Sequence, residues 1–278
     1  MPSKNIILNS LKESFLMIWR NKSLFFLLFV LQIIFSVTFG FINLTYQTRI
    51  LENANAMSDY LANQDLDEVS VTQNLLAQKD ILGDDPGAID RYFNEIVNDF
   101  KIYIAYTFIL LVVFLSIVWS LTNKFLRKID FNKLKTIFLK NLLVSAVFLF
   151  FIFSFFYSIL NISFAEAATQ GLDLFKKYIP VLIFSIVLVY FMFISLSLTY
   201  KTRLKDIIPR TIKIGLKKAH YIAAVYFINI SIIYISMILL YYFIEINILI
   251  QLVSILLFIF SFIFARILMI NVVDKLEI

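Results

Sequence analysis

A 278-residue chain with 61% hydrophobic and only 16% charged residues cannot clothe a core in a polar exterior, since soluble domains run to about 45–50% apolar and about 25% charged. Cysteine is absent, which excludes disulfides, thiolate metal sites and cysteine nucleophiles. The formal net charge of +6 gives no nucleic-acid signal once its distribution along the chain is followed. The composition predicts an all-α polytopic membrane protein.

The first element is the segment LKESFLMIWRNK (11–22), in which Leu11, Phe15 and Ile18 recur at helical spacing and Arg20 and Lys22 abut an apolar run. It predicts an amphipathic helix lying on the membrane face. The run at 24–44 follows, long enough to cross a hydrocarbon core of about 30 Å. The preceding charged stretch is no short basic leader, and no A-x-A pattern closes the run, so the span reads as an uncleaved anchor with the mature chain beginning at or beside Met1.

Residues 45–101 carry eleven acidic and four basic residues. The stretches 48–64 and 89–106 continue the flanking spans as helices without Gly or Pro, which predicts a protruding helical hairpin with a short helix near 69–79 and a Gly/Pro turn at 83–87. Asp84 and Asp85 lack the spaced oxygen ligands of a calcium loop and read as a solvated turn. The second span is 102–122.

A second basic amphipathic segment, FNKLKTIFLKN (131–141), places Leu134, Ile137 and Phe138 on one stripe, ends in Lys140 and leads into a third span at 142–162. The fourth span is expected at 179–199, opened by Pro180 in a first turn. The third amphipathic segment, LKDIIPRTIKIGLKKAH (204–220), carries Ile208, Ile212 and Leu216 on one stripe and ends in Lys217 and Lys218. Spans at 222–243 and 247–268 complete six, and Arg266 is expected to snorkel from the end of the last. The recurring unit is an amphipathic helix plus a hairpin, which fits an ancestral threefold repeat and equally the basic inner loops of any multi-span chain.

Lysine and arginine set the orientation. Nineteen fall in 1–23, 123–141, 200–220 and 266–278, and six on the opposite side, so both termini are expected in the cytoplasm and the chain in the plasma membrane. Trp19, Tyr46, Tyr103, Trp119, Tyr178, Tyr200 and Tyr221 fall near span ends as an aromatic belt. Arg20, Lys22, Lys140, Lys217 and Lys218 are the candidate contacts to anionic headgroups or to a protein partner.

Catalytic chemistry is not visible. No G-x-S-x-G, H-E-x-x-H or P-loop pattern occurs, and the single histidine, His220, has no companion at ligand spacing, so neither a metal nor another cofactor is expected. Within the spans the polar residues are amides and hydroxyls. Gln32, Asn229 and Gln251 could line a polar passage, but with Ser116, Ser185, Ser195, Ser236 and Ser254 they fit better as interhelical hydrogen-bonding groups.

The F-x-x-x-W-R-N-K-S-L-F-F motif at 15–26 and D-I-I-P-R-T-I-K-I-G-L-K-K at 206–218 resemble six-helix archaeal and bacterial membrane families of uncharacterised function, one of them named after the membrane domain of glycerophosphodiester phosphodiesterases. The resemblance covers most of the chain outside the long outer loop and implies fold and location; the phosphodiesterase catalytic domain has no counterpart here. An amphipathic helix, six spans and an outer loop also resemble the permease subunits of ABC exporters, which would imply a separate ATPase. The residues favour a non-enzymatic scaffold or accessory of a membrane assembly, with the permease subunit as the alternative.

Overall fold

The computed structural model describes residues 6–62, 87–127, 129–160, 164–243 and 248–277. Every regular element among them is helical: α1 (Ile6–Arg20), α2 (Lys22–Ala62), α3 (Ala88–Arg127), α4 (Phe131–Ile159), α5 (Phe164–Leu198), α6 (Leu204–Lys217), α7 (Ala219–Phe243) and α8 (Ile248–Leu276). All but α1 and α6 contain a stretch long and apolar enough to cross a bilayer. Only 11% to 39% of the most apolar window of each span is buried within the protein, so most of its surface must meet lipid. In that medium a helix satisfies its own backbone, which is why no other element is needed.

The six spans fall where the hydrophobic runs do, but several helices outrun them. α2 and α3 are 41 and 40 residues long, about 60 Å each at 1.5 Å per residue and roughly twice the hydrocarbon thickness. The first two spans are continued as helices, α2 to Ala62 and α3 from Ala88, while the short helix at 69–79 and the aspartate turn lie outside the described residues. α5 starts at Phe164, so Pro180 sits inside the helix and not in a first turn. α8 runs past 268 to Leu276.

Two of the amphipathic segments are separate helices, α1 and α6; the segment at 131–141 is helical but continues without a break into the third span as α4. In α6 the stripe of Ile208, Ile212 and Leu216 faces away from the protein, at 57%, 46% and 67% exposure, as a stripe meant for lipid should. In α1 the stripe divides. Phe15 is exposed with Leu8 and Trp19, Ile18 is buried, and the face turned to the protein is Ser10, Ser14 and Ile18. Small hydroxyl residues let two helices approach closely and hydrogen-bond, and apolar side chains lose little by staying in lipid, so the polar side turns inward.

The chain forms two compact units. The first comprises Met1–Val37, Leu111–Phe151 and Ile183–Ile278. Its core is the second half of α8, where Ile263, Phe264, Ile267, Leu268, Met269, Ile270, Val272 and Val273 are all buried, on every side of the helix. α1 and the start of α2 run antiparallel to α8: Glu13 meets Lys275, Ser14 and Met17 meet Asn271, and Phe25 meets Phe260. The start of α1 and the end of α8 therefore lie at one end of this unit, the terminal face. α3 and α4 are joined by hydroxyls and amides, with Ser116 Oγ 3.1 Å from Ser145 Oγ and Asn141 Nδ2 donating to Ser120 Oγ at 2.9 Å.

The second unit comprises Thr38–Leu110 and Ile152–Leu182. Aromatic contacts hold it: Tyr46 packs on Tyr103 and Tyr106, and Phe108 meets Phe153 edge-on at 5.7 Å. Arg49 and Lys101 lie over the rings of Tyr46 and Tyr157.

Glycine use separates a tight contact from an idle position. A Cβ on Gly215 of α6 would stand 2.6 Å from Cε1 of Phe191 in α5, whereas one on Gly40 of α2 would meet nothing within 4 Å. Gly215→Ala should therefore destabilise the protein by about 1–3 kcal/mol through overpacking, while Gly40→Ala should stabilise it by about 0.5–1 kcal/mol through helix propensity. Thermal melts in one detergent, read side by side, check both signs.

Candidate functional site

α6 is three-sided. Ile207, Thr211, Ile214 and Gly215 are buried against the protein, Leu204, Ile208, Ile212 and Leu216 form the outward apolar stripe, and Arg210, Lys213 and Lys217 occupy the remaining face at i, i+3 and i+7 spacing. The buried side is bolted to α5. Tyr190 donates its hydroxyl to the Gly215 carbonyl at 2.8 Å, Ser195 Oγ and Thr211 Oγ1 are 3.0 Å apart, and the missing side chain of Gly215 lets the two helices close. With one side fixed, the rotation of α6 is set, and so is the direction of its cations.

Those cations line a groove of about 310 Å³ at the terminal face, bounded by Arg210, Lys213, Ile214, Lys217 and Lys218 and by Leu276 and Glu277 at the end of α8. Lys218 closes α6, its backbone N–H donating to the Ile214 carbonyl at 2.9 Å. Four cations face one carboxylate there. Glu277 accepts from Arg210 Nη1 at 2.6 Å and lies 3.9 Å from Lys201, leaving Lys213, Lys217 and Lys218 at the groove without an ion pair among the described residues.

Beside the groove the end of α8 gathers further charges. Asp274 pairs with Arg127 from the end of α3 and with Lys201 at 3.3 Å, and Lys275 pairs with Glu13 of α1 at 2.8 Å. The Arg127 guanidinium also stacks over Tyr200. Asp274 of α8 and Glu277 just past its end thus hold basic residues from three other segments, a structural clamp whose members are mostly neutralised. The groove keeps three lysines that no carboxylate answers among the described residues.

The residues singled out from sequence separate accordingly. Lys217 and Lys218 line the groove. Lys140 turns inward: its Nζ donates to the carbonyls of Thr199 at 3.3 Å and Thr202 at 2.9 Å, satisfying acceptors at the C-terminal end of α5, the usual place for a cation on the helix dipole. Arg20 is exposed in the last turn of α1, and Lys22 lies 4.9 Å over the Trp19 ring. His220 is exposed with its ring beside Tyr221, and no cluster of metal-ligating side chains exists among the described residues. The Glu166 side chain and Glu245 lie outside what is described.

Gln32 of α2 is 6% exposed, Asn229 of α7 donates to the Ala265 carbonyl of α8 at 3.2 Å, and Gln251 stands fourteen residues before Ala265, about 21 Å along the helix. Several serines act as expected between helices: Ser116 meets Ser145, Ser195 meets Thr211, and Ser236 donates to Ser261 at 3.2 Å. Arg210 and Lys213 were missed, although their spacing from Lys217 was a readable signal. Arg127, Asp274 and Glu277 gave no such signal, because their pairing joins distant segments.

Comparison with known protein families, with curated proteins and with solved structures finds no match to this chain, so its own residues carry the functional argument.

Removing the half-buried Asp274 carboxylate strands two cations, whereas the Glu13 pair is largely exposed. Asp274→Asn should cost about 1–3 kcal/mol and Glu13→Gln no more than about 1 kcal/mol. Unfolding of both variants in detergent, with the salt dependence of each, gives the comparison.

Proposed function

We propose that this chain is a non-enzymatic component of a plasma-membrane assembly, with both termini in the cytoplasm, whose α6 groove holds an anionic headgroup at the inner leaflet. The observation that carries the reading is the pairing of two features on one short helix. Arg210, Lys213, Lys217 and Lys218 concentrate charge in a groove with one carboxylate, and the adjacent stripe of Ile208, Ile212 and Leu216 is exposed. A helix of this build rests at the depth where acyl chains give way to phosphates. Each cation near an anionic surface contributes on the order of 1 kcal/mol, so three unpaired lysines suffice for selective retention of a charged lipid.

The positive-inside bias of nineteen basic residues against six supports the orientation, and the clamp at the end of α8 supports a rigid backing for the groove. A fixed docking surface of this kind suits a scaffold or accessory. Should an ATPase subunit co-purify with the chain through the 200–220 segment, the exporter-permease reading would replace this one.

Lipid retention tests the proposal. After purification from membranes containing phosphatidylglycerol and phosphatidylcholine, the wild type should retain the anionic lipid in excess, and the combined change Lys213→Glu, Lys217→Glu and Lys218→Glu should remove most of that excess without lowering the melt. Lys140→Glu should do the opposite, lowering the melt while leaving the lipid ratio unchanged. Equal retention by wild type and the triple variant would overturn the groove's role.

A further inference from the structure

The unpaired charge at the α6 groove falls into two lots. Glu277 holds Arg210 at 2.6 Å, which leaves Lys213 on one turn of the helix and Lys217 with Lys218 on the next. Four residues separate Lys213 from Lys217, about 6 Å along the axis. Both lots line the same opening, and its four cations against one carboxylate leave a formal surplus of three positive charges. A phosphodiester headgroup bears a single negative charge. Wherever it settles in this groove, it leaves the other lot unanswered, with like charges one turn apart.

The packing of α6 fixes the spacing of the two lots. Gly215 stands between Lys213 and Lys217 in sequence, its carbonyl accepts from the Tyr190 hydroxyl at 2.8 Å, and Thr211 pairs with Ser195 one turn earlier at 3.0 Å. The helix cannot rotate either lot away from the opening without lifting Gly215 off Phe191. The opening, about 310 Å³, is at the small end of the roughly 300–1,000 Å³ typical of ligand sites, so it has room for a compact polar group. Acyl chains have a separate place to lie. The exposed apolar stripe of Leu204, Ile208, Ile212 and Leu216 runs about 18 Å along the same helix.

We propose, resting on the reading that this groove holds an anionic headgroup, that its ligand is a lipid with two phosphates on one short bridge, of the diphosphatidylglycerol type. One phosphate sits at Lys213 and the other at Lys217 and Lys218. A three-carbon glycerol bridge sets two phosphates roughly one helical turn apart, which matches the spacing of the lots. Once the first phosphate is held, the second binds as an intramolecular event at high effective concentration, an advantage that two separate one-phosphate lipids lack. Four acyl chains also cover a stripe three turns long more fully than two do. Phosphatidic acid can carry two charges as well, but both are on one phosphorus, so it answers one lot only.

The test uses full-length, delipidated protein in a neutral maltoside detergent, titrated with tetraoleoyl diphosphatidylglycerol, dioleoyl phosphatidylglycerol and dioleoyl phosphatidic acid at equal phosphate concentration, with bound lipid counted by native mass spectrometry. One diphosphatidylglycerol per chain should bind about tenfold or more tightly than phosphatidylglycerol, with phosphatidic acid close to the latter. Lys213→Gln, and separately Lys217→Gln with Lys218→Gln, should each remove most of that preference. Lys205→Gln, the same kind of charge change on α6 away from the groove, should leave it intact. All four positions are exposed, so the melts of these variants should match the wild type. Equal affinity for diphosphatidylglycerol and phosphatidylglycerol, with both lost in the Lys213→Glu, Lys217→Glu, Lys218→Glu protein, would overturn two-phosphate selection and leave the headgroup reading standing. Wild-type binding of both lipids by that triple variant would sink the headgroup reading as well. Phosphatidic acid binding as tightly as diphosphatidylglycerol, or a preference that neither lot's variant lowers, would likewise overturn the proposal.

Discussion

Hydrocarbon offers no partner to a backbone N–H or C=O and no reward for pressing one leucine against another. The first condition forces every span to be a helix. The second means that helix-to-helix contact has to come from close packing and from hydrogen bonds between side chains. Both are visible in the same places: Ser116 against Ser145, Asn141 against Ser120, Ser195 against Thr211, Ser236 against Ser261, and Asn271 against Ser14. The apolar residues that would fill a soluble core largely face outward. Those that are buried concentrate on the second half of α8, around which the first unit is organised.

The same economy sorts the charges. Carboxylates are scarce near the terminal face, and the two at the end of α8 are spent on Arg127, Lys201 and Arg210. Lys140 is spent on backbone carbonyls of α5 and the following loop. What remains on α6 is surplus positive charge held in a fixed direction, because Gly215 and Tyr190 lock that helix against α5. That fixed direction gives the chain a defined electrostatic surface, and the proposed headgroup site is a consequence of that sorting.

The architecture was legible because its signal is one-dimensional. Six apolar runs, basic flanks and two Gly- and Pro-free helical extensions can be read by counting, and the helices appear where counted. Tertiary choices were less legible. The stripe of α1 divided because Ser14 had a partner in Asn271, 257 residues away. The last helix outruns the hydrophobic run that ends near 268 because Asn271 is accommodated by pairing with Ser14. Lys140 looked like a free headgroup contact because its acceptors, the carbonyls of Thr199 and Thr202, leave no mark in sequence. Pro180 looked like a helix start because the polar stretch before it read as a loop.

The central claim is that lipid surrounds these helices and that the basic segments stay on the cytoplasmic side. The absence of native cysteine makes site-directed labelling direct. Lys133→Cys and Lys205→Cys report the basic side, Asp59→Cys and Asp90→Cys the acidic arms, and all four positions are exposed. In intact cells a membrane-impermeant maleimide should label only the two aspartate positions, with the two lysine positions reacting after permeabilisation. Labelling of Lys133→Cys or Lys205→Cys from outside, or equal labelling of all four, would contradict it.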